Sequence, residues 1–378
     1  MSKSDKGKSL LQLIDRKKFD ALSEKWGMDK GVRSYFTWQQ TGVLVMAYVM
    51  RLESSREIEA VLGIPRSTFC DANHGRSAGF FEELCEIMLE EIRGRCRHRR
   101  IKRAIKQLLA IDSTECRIHG SISSYLPWRQ KKSEQGAAKL HVVWNVDGEW
   151  VEDFRITSGR KNDCPIAKQF EISSGKMYVF DRAYNDIGFW WRITDRGSDF
   201  TSRLKDCPKH SYQRKIVLDG AGEKVGVLWE GEWKPSQPCL SSHPEVPKDF
   251  KCRHIIYRDP ETKKIFDFVT SDFTSSAQTI ADIYKKRWAV ELLFRWFKGH
   301  LKIRYFETRN PNAVKIQLTV AVLVQLLVQL YRIVNRFRGT LWECLRAIRT
   351  ALALKGVEKC GFPRLDRRKS LLEAGLTN

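Results

Sequence analysis

From residue 1 to about residue 98, apolar positions recur at helical spacing with little strand signal. At Gln107 the period changes. QLLAIDSTECRI is an apolar run closed by an acid, Asp112, and AAKLHVVWNVDGEWVEDFRITSGR alternates about Asp147-Gly148 as a hairpin does. DCPIAKQFEIS returns to helical spacing, and KMYVFDRAYND is another buried strand, ending in Asp181. A fifth strand is predicted at residues 199–205. Short strands joined by Gly- and Pro-rich turns follow (YQRKIVL, EKVGVLWE, FKCRHIIYR, IFDFVTS). TSSAQTIADIY then opens a helix, with Thr274, Ser275 and Ser276 as candidate caps, that runs on through YKKRWAVELLFRWFK to Lys298. A long apolar helix reaches Val334, and a basic, partly helical stretch ends the chain.

The pattern predicts an α/β protein, with a mixed sheet flanked by helices. Its units are an all-helical N-terminal domain (1–98), a first core segment (99–205), a β-rich insertion (206–272), a second core segment (273–340) and a basic C-terminal tail (341–378). Within the first unit, SSREIEAVLGIPRSTFCDANHG reads as a helix-turn-helix. Gly63 takes the turn, and Ile58, Leu62, Ile64, Phe69 and Ala72 stand at the spacings that pack two short helices. Glu59 stands where such motifs usually carry a small residue, and the bland alternative is an ordinary helical hairpin. The second helix, starting near Pro65, would offer Arg66, Ser67, Thr68 and Asn73 to DNA. Eight Lys or Arg residues between Arg93 and Lys106 then form either a solvated linker or a phosphate-tracking run.

Composition narrows the class. The 378 residues are 42% hydrophobic, enough for a folded core, and carry a formal net charge of +22, which points to a polyanionic partner. An acidic membrane surface is the competing partner. No continuous apolar run reaches bilayer-spanning length: the best, residues 318–330, is interrupted by Gln325 and Gln329, which fits a buried helix. No secretory-type segment opens the chain, so a cytoplasmic protein is expected, nucleoid-associated when bound to DNA. The ten cysteines are scattered, with no CxxC pair, and read as free thiols. Cys239, His243, Cys252 and His254 form a weak zinc candidate at unfamiliar spacing.

The candidate chemistry is acidic. If the first and fourth strands are adjacent and parallel, Asp112 and Asp181 lie side by side at their carboxyl ends, where open α/β sheets place their sites. Each acid could instead cap a turn. Asp147, Asp153, Asp163, Asp186 and Asp195 compete but fall in turns or helix starts. Wound at ~100° per residue, the stretch 284–298 gathers Tyr284, Arg287, Glu291 and Lys298 within roughly 60° of arc. Ile283, Val290, Leu293 and Phe297 fall opposite. Three carboxylates suffice to hold two hard cations with open positions for substrate. In the insertion, Trp229 and Trp233 are candidates for base stacking or for its core.

These residues carry a resemblance. Asp112 in IDST, Asp181 in VFDRAY, and Tyr284, Arg287, Glu291 and Lys298 with two, three and six intervening residues resemble the insertion-sequence-four family of DDE transposases. The last four residues match its YREK signature. The resemblance implies a ribonuclease-H-like core in which Asp112, Asp181 and Glu291 ligate two Mg²⁺ ions, with Mn²⁺ able to substitute. It implies cut-and-paste cleavage and strand transfer on double-stranded DNA, at terminal inverted repeats and at target DNA, by a homodimer. Tyr284, Arg287, Lys298 and Arg295 would hold DNA, some members forming a hairpin at the element's end, and an insertion tryptophan would take a flipped base. The alternatives are a transposase-derived regulator without chemistry, or a nuclease that cleaves without joining.

Overall fold

The computed structural model describes residues 10–96, 106–125, 136–204, 210–215, 226–303, 305–306 and 308–355. The basic residues 97–105 and the tail beyond 355 lie outside them. Five helices come first: α1 Arg16–Lys25, α2 Thr37–Met50, α3 Ser55–Leu62, α4 Arg66–Gly75 and α5 Ala78–Cys96. Next come β1 Gln107–Ile118, β2 Gly136–Asn145, β3 Trp150–Ser158, α6 Asp163–Ala167, β4 Lys176–Phe180, α7 Ile187–Asp195 and β5 Asp199–Arg203. The strands β6 His210–Lys215, β7 Val227–Pro235, β8 Cys252–Arg258 and β9 Ile265–Thr270 follow, with the short α8 Gln237–Ser241 between β7 and β8. Last are α9 Ala277–Lys285, α10 Trp288–His300, β10 Tyr305–Phe306, α11 Pro311–Val334 and α12 Leu341–Lys355.

The sheet order is β3-β2-β1-β4-β5-β9-β8-β7-β6, with β10 pairing β1, ten strands among the described residues. Its first five strands give the order 3-2-1-4-5. In them β2 runs antiparallel to β1 and β3, while β1, β4 and β5 are parallel, which is the ribonuclease-H-like mixed arrangement. The β-rich stretch is not a separate small unit. Its strand β9 pairs antiparallel with β5 (Thr201↔Thr270), so β9 to β6 extend the same sheet.

Alternation along β1 sends side chains to both faces. Leu108, Ala110, Cys116 and Ile118 join a core with α2, α5, α10, α11 and α12, while Leu109 and Ile111 join Phe170, Tyr184, Phe189 and Trp190 on the other face. The first core runs unbroken from Leu10 through Ile92 to Leu352, so the N-terminal helices share it with the helices that follow β9. The segment 341–355 is likewise no tail: α12 buries Cys344, Leu345 and Ile348. The described helix apolar and long enough to cross a membrane, α11, has 89% of its most apolar window buried inside the protein. Gln325 and Gln329 clasp the β2–β3 turn. Gln325 Nε2 donates to Glu149 O (2.9 Å) while its Oε1 accepts from Val151 N (3.1 Å), and Gln329 Nε2 donates to Gly148 O (2.6 Å).

The helix-turn-helix spacing is realised. Gly63 adopts φ +70 between α3 and α4, with Ile58, Ile64 and Phe69 buried. Glu59, the misfit of the motif, accepts the backbone N–H of Arg66 at 3.4 Å and so helps close the start of α4.

Of the three candidate caps before α9, Ser276 is the one used, accepting from Thr279 N (3.1 Å). Thr274 and Ser275 instead donate backbone and hydroxyl hydrogens to Asp272. Burial pushes the Asp272 carboxyl up, but these four donors outweigh it and hold the group down at about 2. The stability this supplies is present above the unfolded value of 3.8 and is lost as pH falls through about 2. Asp272→Ala is expected to cost about 2 kcal/mol at neutral pH, read by urea unfolding. An unchanged midpoint would show that the turn closes without it.

Candidate active site

Two strands and one helix start converge on the acidic residues. In the parallel pair β1–β4 the last bridged residues are Ile111 and Phe180, so Asp112 and Asp181 follow side by side. Asp112 does not end its strand, which continues to Ile118; it lies where the neighbouring β4 stops. Its Oδ1 accepts from Ser113 N at 2.8 Å. Burial pushes its carboxyl up to about 7, aided by the charges of Asp181 and Glu291 and opposed by the Ser113 N–H and Arg287. Asp181 caps a 3-10 turn, accepting from Ala183 N at 2.7 Å.

The stretch 284–298 is not one helix. Hydrogen bonds from Lys286 N to Ile283 O, Ala289 N to Lys286 O and Val290 N to Arg287 O make a tight turn that separates α9 from α10. Tyr284 therefore belongs to α9, buried against Phe268 of β9 with ring centroids 4.9 Å apart. Arg287 is the N-cap position of α10, and Glu291 sits in that helix's first turn. Arg287 joins the two elements: its Nη2 lies 2.6 Å from Glu291 Oε1 and its Nη1 3.6 Å from Asp112 Oδ2. Further along α10, Lys298 acts electrostatically on Cys116 of β1, and Arg295 is exposed.

Among the described residues no three His, Cys, Asp or Glu side chains stand close enough to hold one ion. The chemistry nevertheless suits a hard cation: Asp112, Asp181 and Glu291 offer only oxygen, and two of them already share one positive group. The zinc candidate fails. Cys252 is buried in the second core, His254 binds Asp267 (3.2 Å) and His243 binds Glu245 (3.1 Å). The competing aspartates have local duties: Asp147 accepts from Leu108 N, Asp153 pairs Arg155, and Asp186 caps α7 and pairs Lys168, while Asp195 is the last residue of α7.

Asp163, one of the competing aspartates at a helix start, serves as a brace. On the opposite face from Asp112, it accepts from Ser113 Oγ (2.6 Å) and pairs with the buried Lys139 (2.7 Å). Burial holds the neighbouring His141 down at about 4, against the opposing pull of Asp163. Adjacent β1 and β2 residues supply these groups, Ser113 facing His141 in the ladder, but sequence alone does not give that register.

Of the tryptophans, Trp233 is buried, edge-on to Trp190 at 5.6 Å, and unavailable to a base; Trp229 is half-buried beside His254. A third ring was overlooked. Trp288, 50% exposed, stands one turn before Glu291 with Leu292, 48% exposed, beside it. In α4, Arg66 and Ser67 are exposed and Thr68 half-buried, but Asn73 faces inward, accepting from Gln40 Nε2 at 2.7 Å. It is therefore withdrawn from the DNA-facing set.

Residues 103–327 match the family described as the transposase DDE domain. The chain belongs to that family. This transposase also matches, at residues 8–68, a domain of unknown function. It is 30% identical over 288 residues to a Sinorhizobium fredii protein named as a transposase, covering 76% of each chain. It is 26% identical over 324 residues to a Geobacillus stearothermophilus protein named as the transposase of insertion element IS5377, covering 84% of this chain and 82% of that one. A solved piggyBac transposase synaptic complex with hairpin DNA has a similar fold, with a TM-score of 0.50 at 12% identity over 98% of this chain and 85% of that one.

Proposed function

We propose that Asp112, Asp181 and Glu291 are the metal ligands with which this transposase cuts and joins DNA at the ends of its element. The observation that carries this reading is the β1–β4 register, which sets Asp112 beside Asp181, with Glu291 tied to Asp112 through Arg287. When bound, two Mg²⁺ ions, or Mn²⁺ in their place, would activate the attacking hydroxyl and stabilise the leaving oxygen. The chain's own residues position the substrate. Arg287, Lys298 and Arg295 present cations along α10 to phosphates, and Tyr284 backs Arg287, whose guanidinium lies 5.6 Å from the ring centre. Arg66, Ser67 and Thr68 at the start of α4 meet duplex DNA, at terminal inverted repeats, and a homodimer brings two ends together at target DNA. Such a protein is nucleoid-associated when bound.

Asp112→Asn tests the reading. It is expected to abolish Mg²⁺-dependent cleavage of an element-end duplex, while gel-shift affinity stays within about twofold, because, of the proposed DNA contacts, it is Arg287 that pairs with Asp112. Cleavage at the wild-type rate would remove Asp112 from the site. The exposed Trp288 is the ring placed to stack on a base unpaired beside Glu291. Trp288→Ala is expected to weaken binding to a duplex with a frayed end by about tenfold, with little effect on fully paired internal DNA. Equal losses on both would make it a general contact.

A further inference from the structure

Arg287 is held more tightly than a phosphate-binding arginine at rest needs to be. Its side chain is 15% exposed, its Nη2 and Nη1 reach Glu291 and Asp112, and its Nε is buried without a hydrogen-bond partner among the described residues. A simple i,i+4 pair on a helix surface would involve Glu291 alone, and such pairs stabilise weakly. This one reaches across to a strand more than a hundred residues earlier in the chain and links both carboxylates.

Those carboxylates repel one another, and a guanidinium between them relieves the repulsion. A divalent cation held by the same two oxygens relieves it in the same way and needs the same space. The two cations are therefore alternatives. When the ion enters, the displaced guanidinium loses its anionic partners unless another anion takes it. The anion supplied by the substrate is a DNA phosphate, and a planar five-donor fork suits phosphate as well as carboxylate.

We propose that Arg287 is a resident positioning cation: it keeps Asp112 and Glu291 paired in the DNA-free chain and releases them when a DNA phosphate takes its guanidinium. Metal loading and DNA-end binding are then coupled through one side chain, each favouring the other by the same factor. The full site assembles on DNA ends, and the free protein stays a poor binder of metal. The inference rests on the reading that Asp112 and Glu291 hold the ion.

The test is Mn²⁺ binding, followed by calorimetry and by electron paramagnetic resonance, in the full chain with and without an element-end duplex that lacks the scissile bond. Arg287→Gln is expected to bind Mn²⁺ about tenfold more tightly than wild type without DNA, since the competing cation is gone. Adding the duplex is expected to tighten Mn²⁺ binding more in wild type than in R287Q, the difference measuring the coupling. Unchanged or weaker DNA-free binding by R287Q, or equal gains from DNA in both chains, would overturn the exchange. If R287Q does not fold, Arg287→Lys carries the comparison. Lysine keeps the charge but cannot span both carboxylates, so intermediate DNA-free affinity supports the exchange and wild-type affinity refutes it. Failure of the underlying reading looks different: Asp112→Asn would then leave Mn²⁺ binding untouched in every background.

Discussion

A Glu291→Gln chain is expected to bind element-end DNA and not to cut it. The substitution keeps the shape of the side chain and its place in the first turn of α10, so folding is expected to survive and Arg287, its ion-pair partner, is the basic group it disturbs. It removes the charge of one of the three proposed oxygen donors, and loss of a ligand costs at least the ten- to hundredfold typical of disturbing its supporting shell, so cleavage is expected to fall by more than about a hundredfold. The measurement is strand cleavage of a labelled duplex in Mg²⁺, beside a gel shift in chelator. Wild-type cutting by the glutamine chain would mean that the third carboxylate lies elsewhere.

The largest expected loss of stability comes from a residue remote from the chemistry. Gln325→Leu leaves the buried Val151 N–H and the half-buried Glu149 carbonyl without their partners in the seam between α11 and the β2–β3 turn. Each orphaned group costs about 1–3 kcal/mol, and the gain from the added apolar surface offsets only part of that, so unfolding free energy is expected to drop by about 3 kcal/mol. Urea denaturation of the two chains measures it. A leucine chain as stable as wild type would show that the turn finds other partners.

The residues that mark the candidate site are those whose chemistry conflicts with their surroundings. Asp112 and Asp181 each interrupt or close a buried apolar run, so strand pattern and acid together located them, and the parallel β1–β4 pairing placed them as that pattern predicted. The glutamines in the apolar run of α11 likewise marked a buried helix. What was not legible depended on partners distant in sequence. Lys286 and Arg287 are good helix formers, so nothing local announces the break there. It coincides with Tyr284 seated on β9 while Glu291 faces β1. Asn73 looks like a recognition-helix contact until α2 supplies Gln40 on its inner side. The insertion looked separate because the pairing of β5 with β9 joins strands some sixty residues apart, which periodicity does not reveal. Trp233 and Trp229 share a strand, yet the ladder shifts near Trp229 and only Trp233 is buried against α7.

The unbroken core around α11 bears on how such elements diversify. One side of that helix packs on α2 and α5 of the N-terminal unit, another on β3, and Asn312 at its start donates to the carbonyls of Asn73, His74 and Arg76 at the end of α4. A foreign recognition module spliced in ahead of β1 would meet a helix face shaped for a different neighbour. On the role proposed for α4, lineages of this architecture are thus expected to change their repeat preference by substitutions on its outer side, at positions such as Arg66 and Ser67, more readily than by trading whole modules.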